Sequence, residues 1–401
     1  MTFVVLIFGA VYLGMMLGRF PRLAMDRTGI ALLGAVALIA GAAVTPEDAW
    51  RAIDPATIAL LFGLMVVSAQ FRLGGFYSAV TRLLAEVPLQ APALLAAVLA
   101  VVAVLSALLT NDIICLAMAP LLADGCARRN LNPVPFLLGL ACAANIGSAA
   151  TLIGNPQNIL IGQALDLSFA GYMLTAMPVV LAGLAVVWGV LLFHYRTTWR
   201  LPVTPVHPHS PPFNPWQTGK GLLVIAALMA AFLFTSWPHD VVALAGAGVL
   251  LISRRLHTRD MLGLVDWQLL VLFAGLFIVN HAFVETGAMT ILLDEARVLG
   301  IDPTSPPWLF TLSAVLSNLV SNVPATMLLL PAAVHERAGA ILALSSTLAG
   351  NLVVVGSIAN IIVVEQARLC GVHISWGEHA KTGIPVTLLT LGIAAAWLAM
   401  G

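Results

Sequence analysis

The sequence predicts an all-α polytopic membrane protein. It is read as an inverted repeat of five crossings plus one re-entrant hairpin each, with discontinuous helices at the midplane. Three observations predict this. Of 401 residues, 60% are hydrophobic and only 9% charged, with a mean hydropathy of +1.00. A soluble domain carries about a quarter charged residues, so the bilayer is the solvent here. Long uncharged runs recur along the chain, and only helices or closed barrels satisfy the backbone in lipid; long runs rather than short alternating strands mean helices. Polar, Gly and Pro residues also repeat between the two halves at a nearly constant offset. The zero net charge argues against a nucleic-acid partner. Disorder and secretion as a soluble product are excluded.

The expected crossings are 2–18, 28–46, 55–71, 130–165, 167–193, 221–238, 241–253, 267–284, 338–364 and 382–401. The first is uncharged, ends at Arg19 and has no basic stretch before it, so it reads as a retained helix rather than a signal peptide. Runs 87–123 and 303–334 are interrupted by polar residues and read as hairpins that enter and leave on one side. With the N-terminus outside, 15 of the 18 Lys and Arg residues fall in inner loops; only Arg51, Arg297 and Arg337 fall in outer ones. This positive-inside bias places both termini outside and segment 200–218 in the cytoplasm. The prolines of that segment mark an extended linker between a first repeat, 1–199, and a second, 219–401. His207 and His209 within it read as solvated linker residues. Cys115, Cys126, Cys142 and Cys370 have no metal-ligand spacing and read as packing residues, so no metal site is expected.

At a shift of 212, Asp48, Asp54, Gly63 and Gly75 fall on Asp260, Asp266, Gly275 and Gly287. At 211, Asn111 and Pro120 fall on Asn322 and Pro331, and further on Asn145 and Asn158 pair with Asn351 and Asn360. An odd number of crossings per half turns the second half upside down. That is the design of secondary transporters, whose site lies at the repeat interface near the midplane.

The hairpin tips read Thr110–Asn111–Asp112 and Ser321–Asn322–Val323, and two long runs are broken, by NIGSAATLIGNPQN (145–158) and GNLVVVGSIAN (350–360). Non-helical backbone at this depth is tolerated only where it lines a cavity or is buried in protein. Four half-helix N-termini are expected to converge there, offering N–H groups and positive dipole ends to an oxygen-rich solute. The candidate solute contacts are Thr110, Asn111, Asn145, Gly147, Ser148, Thr151, Asn155, Ser321, Asn322, Thr326, Asn351, Ser357 and Asn360. Asp112 is the one formal charge in its apolar stretch and the first candidate for ion coupling; it also reads as the N-cap of a helix starting at Ile113. His281 is the second coupling candidate, because imidazole titrates near physiological pH. No catalytic residues are expected: GxSxG is absent and His335–Glu336 lacks the second His of a zinc helix. An aquaporin-like channel is the alternative of another class, since Asn322–Val323–Pro324–Ala325 has a superficial likeness to its Asn-Pro motifs. Ten crossings and an acid at one tip fit a carrier better.

These tips and breaks resemble those of the ion transporter superfamily over about residues 28–400. The likeness is to the branch of arsenite-efflux pumps (ArsB), NhaD-type sodium–proton antiporters and the P protein, with its citrate-transporter-like domain. The resemblance implies secondary active transport, by alternating access, of a small anion or oxyanion-type solute, with arsenite or antimonite efflux as the first reading. It implies no cofactor beyond a coupling ion, H⁺ or Na⁺. Divalent anion–sodium symporters have Ser-Asn-Thr at both tips; Asp112 and Val323 depart from that and favour proton-linked exchange. Na⁺/H⁺ antiport and carriage of dicarboxylate or sulfate are the alternatives within the class. The partners implied are the small inorganic or organic solute and the lipid of the plasma (inner) membrane, with no nucleic acid. A homodimer and, for an arsenite pump, an ATPase partner are compatible with the resemblance.

Overall fold

The computed structural model describes residues 1–18, 25–200 and 212–400. Among them the chain is helical and forms no strand; Leu131 and Arg200 make an isolated antiparallel bridge. The first half runs α1 (Thr2–Leu17), α2 (Arg27–Ala40), α3 (Pro46–Ala52), α4 (Pro55–Leu73) and α5 (Phe76–Glu86), then α6 (Ala91–Leu108), α7 (Asn111–Arg128), α8 (Pro133–Ser148), α9 (Pro156–Ala164) and α10 (Phe169–Tyr195). The second half follows the same order. It runs α11 (Pro215–Phe234), α12 (His239–Leu251), α13 (Thr258–Leu262), α14 (Trp267–Glu285) and α15 (Ala288–Val298), then α16 (Pro306–Val320), α17 (Asn322–Leu329), α18 (Ala338–Ala349), α19 (Ile358–Leu369) and α20 (Trp376–Met400).

The helix boundaries follow from local chemistry. Asp54 and Asp266, matched in the sequence, cap α4 and α14 through the backbone N–H groups of Ala56 and Leu269. Gly75 and Gly287 take left-handed backbone (φ 68° and 73°) and turn the chain into α5 and α15. Six helices, α4, α6, α10, α11, α14 and α20, are long and apolar enough to cross a membrane. The expected crossings 130–165 and 338–364 resolve into α8–break–α9 and α18–break–α19. The first hairpin is α6 and α7, of 18 residues each, about 27 Å of helix per arm; the second is shorter, with arms of 15 and 8 residues. The short helices α3, α5, α13 and α15 were not among the expected elements. Pro215–Thr218 of the expected linker already form the first turn of α11, and His207 and His209 lie outside the described residues.

The halves embrace reciprocally. α4 packs on α12, and α14 packs on α2. At the first crossing, a Cβ on Gly63 would meet the Ala243 backbone at 2.8 Å; at the second, a Cβ on Gly275 would meet the Ala31 backbone at 2.9 Å. Gly63 and Gly275, like Ala31 and Ala243, stand 212 apart. A contact in which each half uses the same patch is what a two-fold relation produces. Inside this frame, α7 packs on α19 and α17 on α9, so each hairpin's second arm meets the broken helix of the opposite half.

Candidate functional site

Both breaks are built alike. α8 ends at Ser148, and α9 restarts at Pro156 after Asn155 in extended backbone (φ −145°, ψ 142°). α18 ends at Ala349, and α19 restarts after Ser357 in nearly the same conformation (φ −142°, ψ 140°). Gly154 is required, because a Cβ there would come within 2.4 Å of the Ser148 carbonyl. Its mate Gly356 lies 202 positions on. The same offset relates Asn158, whose amide donates to the Ser148 and Thr151 carbonyls, to Asn360, whose amide donates to those of Gly350 and Val353. Asn145 therefore has Thr347, not Asn351, as its structural counterpart. The two interact reciprocally: Asn145 Nδ2 donates to Asn360 Oδ1 (3.1 Å), and Thr347 Oγ1 donates to Asn158 Oδ1 (3.4 Å).

Asn145 is the hub. Its Nδ2 also donates to Asn351 Oδ1 (2.9 Å), and its Oδ1 accepts from Asn111 Nδ2 (3.2 Å) and Ser357 Oγ (2.9 Å). Two donors and two acceptor sites are the full capacity of an amide. Asn111, Asn145, Asn351, Ser357 and Asn360 thus form one buried cluster that joins the first hairpin tip to both breaks. Ser148 and Asn155 connect to it, Asn155 Nδ2 donating to Ser148 Oγ and Ser148 Oγ to the Asn145 carbonyl. Thr151 Oγ1 ties the first break to the hairpin at the Ala107 carbonyl (2.5 Å). A Cβ on Gly147 would sit 2.4 Å from Ala103 Cα, so Gly147 seats α8 against α6 rather than offering a polar group.

The second tip is arranged differently. Asn322 Oδ1 accepts from Ser317 of its own hairpin rather than joining the cluster. Ser321 has φ 79°, a left-handed value that costs a non-glycine residue about 1–3 kcal/mol; Thr110, at the first tip, has an ordinary φ of −65°. The N-termini of α7, α9 and α19 therefore meet at the cluster, with the Asn111 N–H also reaching the Gly154 carbonyl of the first break (3.4 Å), while the N-terminus of α17 is not bonded into it among the described residues. Several buried polar atoms here have no protein partner: Thr110 Oγ1, Asn111 Oδ1, Thr326 Oγ1 and Asn351 Nδ2. These atoms retain hydrogen-bonding capacity that a solute, ion or water could use.

Asp112 is not the cap. α7 begins at Asn111 with Thr110 in the cap position, and Asp112 lies half-buried in the first turn, where negative charge complements the helix dipole. His281 makes no side-chain hydrogen bond among the described residues and stands apart from the cluster. Its neighbour Asn280 is the connected one: it accepts from the Tyr12 hydroxyl (2.9 Å), which also lies 3.2 Å from the Pro324 carbonyl of the second hairpin. Sequence reasoning missed Tyr12, Asn280, Ser317 and the bond from Gln157 Nε2 to Thr347 Oγ1 (3.0 Å). Thr347 becomes findable once Gly154 is set on Gly356.

The family model described as citrate transporter (CitMHS) matches residues 3–340. The chain belongs to the CitMHS citrate-transporter family. Known family relatives are similar along most of their length. An uncharacterized transporter of Mycobacterium tuberculosis is 32% identical over 402 residues, 93% of each chain. The silicon efflux transporter LSI3 of Oryza sativa subsp. japonica is 30% identical over 467 residues, 96% of this chain and 95% of that one. The fold is similar to that of the YdaH transporter of Alcanivorax borkumensis, with a TM-score of 0.60 at 16% identity over 100% of this chain and 97% of that one. This CitMHS protein is accordingly an integral membrane transporter.

Proposed function

We propose that this family member is a secondary carrier working by alternating access, and that it exports a small hydroxylated oxyanion-type solute against the proton gradient. Arsenite or antimonite is the leading solute, and Asp112 is the coupling group. The observation that carries this reading is the make-up of the central cluster. Its partners are amides, hydroxyls and carbonyls, with unpartnered polar atoms on Thr110, Asn111 and Asn351, and no Lys or Arg is bonded to it among the described residues. Neutral donors and acceptors suit a solute that is uncharged or weakly acidic and carries several hydroxyls. A polyanion such as citrate would lose its hydration without gaining a compensating cation.

Silicic acid has the same chemistry, and the rice relative's name favours it as the second reading. The reciprocal packing and the distribution of Lys and Arg support an inverted repeat, 1–199 against 219–401, with both termini outside the plasma membrane and 200–218 cytoplasmic. The hairpins and broken helices then move against a scaffold of α2, α4, α12 and α14, exposing the closed cluster to one side at a time. Proteoliposomes with an imposed pH gradient test the function, offered in turn arsenite, silicic acid, sulfate, citrate and Na⁺. Saturable, gradient-driven arsenite movement is expected. Na⁺/H⁺ exchange without oxyacid movement would make the protein a sodium antiporter, and non-saturable flux would make it a channel. A Cys placed at Ser210 should react with an impermeant maleimide only from the cytoplasmic side.

A further inference from the structure

The two breaks are fastened by different side chains at one symmetry-related position. Tyr172 on α10 and His379 on α20 stand 207 apart, as do the prolines inside those helices, Pro178 and Pro385. The Tyr172 hydroxyl donates to the Ala149 carbonyl (2.8 Å), and His379 Nε2 lies 3.2 Å from the Asn351 carbonyl. Ala149 and Asn351 are themselves mates at the break offset of 202. Both side chains are buried. Each bond ties a long helix to the backbone just past the C-terminal end of a half-helix, α8 or α18, where the dipole is negative. The chemistry differs. A phenol stays neutral through the physiological range, whereas an imidazole changes charge within it. A carbonyl can only accept, so Nε2 carries the hydrogen; charging the ring keeps that bond but adds the larger cost of holding an imidazolium away from water.

We propose that His379 is a proton-responsive clamp on the second break. A charged imidazolium is disfavoured in this buried position, so protonation loosens the hold of α20 on the 350–357 backbone and deprotonation tightens it, while Tyr172 holds 148–155 alike at every pH. His379 is a positioning residue that acts through Asn351, whose side chain accepts from Asn145 (2.9 Å). The contact is tight: a Cβ on Gly383, one turn further along α20, would meet the Asn351 carbonyl at 2.4 Å. α20 packs against α10, α18, α8 and the 354–356 turn. Of these, α10 brings Tyr172, His194 and Tyr195, α8 brings Cys142, and α18 and the turn bring no titratable group. On α20 itself stand Glu378 and Lys381; Glu378 is engaged by the Tyr195 hydroxyl (2.8 Å).

The consequence, a pH-dependent opening of one half only, rests on the transport reading, but the test does not. Hydrogen exchange of the purified full-length protein compares peptides covering 350–357 with those covering 148–155 at the same pH, so the intrinsic pH dependence of exchange cancels. In the wild type the ratio of their protection should change by about 10-fold between about pH 5 and 8, the range over which imidazole titrates. His379→Gln keeps an N–H donor without ionising and should flatten that ratio, as should His379→Tyr, which copies the first half. Tyr172→His should make 148–155 respond to pH as well. A flat wild-type ratio, or an undiminished response in both His379 variants, overturns the proposal. Should His379→Gln fail to fold, His379→Tyr and Tyr172→His still decide it. Arsenite transport by the same variants is read separately, so absence of arsenite movement would count against the transport reading and leave the exchange result standing.

Discussion

In the pairing of α7 with α19, Asn111, Asn145, Ser357 and Asn360 form one unbroken chain of bonds from a hairpin tip to the opposite half's break. In its mate, the pairing of α17 with α9, Asn322 turns back to Ser317, and the halves are joined through Thr347, which donates to Asn158 and accepts from Gln157. The backbone is repeated; the chemistry is not. The first tip carries an acid and a relaxed turn, and the second carries Val323 and a strained serine. Under the proposed function a two-fold frame gives the carrier two equivalent arrangements to alternate between, and the different side chains on that frame would let the two halves answer protons and solute differently.

The most damaging way to break the comparison is to break the frame. Gly63→Leu and Gly275→Leu each drive a side chain into the opposing backbone at 2.8–2.9 Å. Each should cost about 3 kcal/mol or more, read as lost thermal stability in detergent. The contact is reciprocal, so the two should be alike; one harmless substitution would deny the two-fold frame. Next in size is the cluster. Asn145→Ala removes four inter-group bonds and should abolish transport at a cost of about 2 kcal/mol, since inter-helix bonds in membranes average about 0.6 kcal/mol. Thr347→Ala, its mate, removes two and should cost about 1 kcal/mol with partial transport retained. Equal loss of transport in both would mean that the two pairings serve the solute equally. The smallest effects come from the turns and differ in sign. Ser321→Gly should stabilise by about 1 kcal/mol by releasing the strained φ, whereas Thr110→Gly should destabilise by about 0.5–1 kcal/mol. Matching signs in a thermal melt would remove strain from the account of the second tip.

Much of the frame was legible because its signals are local. Apolar span length, the capping acids Asp54 and Asp266, the crossing glycines Gly63 and Gly275, and the polar interruptions can each be read within a short window. The surface helices α5 and α15 escaped because their mixed polar and apolar residues drop them out of the uncharged runs. The break register escaped for a different reason. Matching Asn145 to Asn351 by residue type displaces it by four positions from Thr347; Asn158 and Asn360 already stand 202 apart, and the carbonyls they bond, with the crowding at Gly154, carry that offset through the break. Tyr12, Tyr172 and His379 could not be found at all, because a lone polar residue on an apolar helix has no period and its partner is set by tertiary packing. The same limit hid Asn280, the neighbour of the coupling candidate His281; the Asn280 side chain accepts from Tyr12.

The central claim is that proton coupling resides in the first pairing, at Asp112. It is tested most directly by Asp112→Asn in proteoliposomes loaded with arsenite, comparing exchange at equal pH with accumulation driven by an imposed pH gradient. The amide keeps the size and the acceptor oxygen but cannot ionise. The account predicts wild-type folding and continued arsenite exchange, with gradient-driven accumulation lost. Full gradient-driven accumulation by the Asn variant would contradict it.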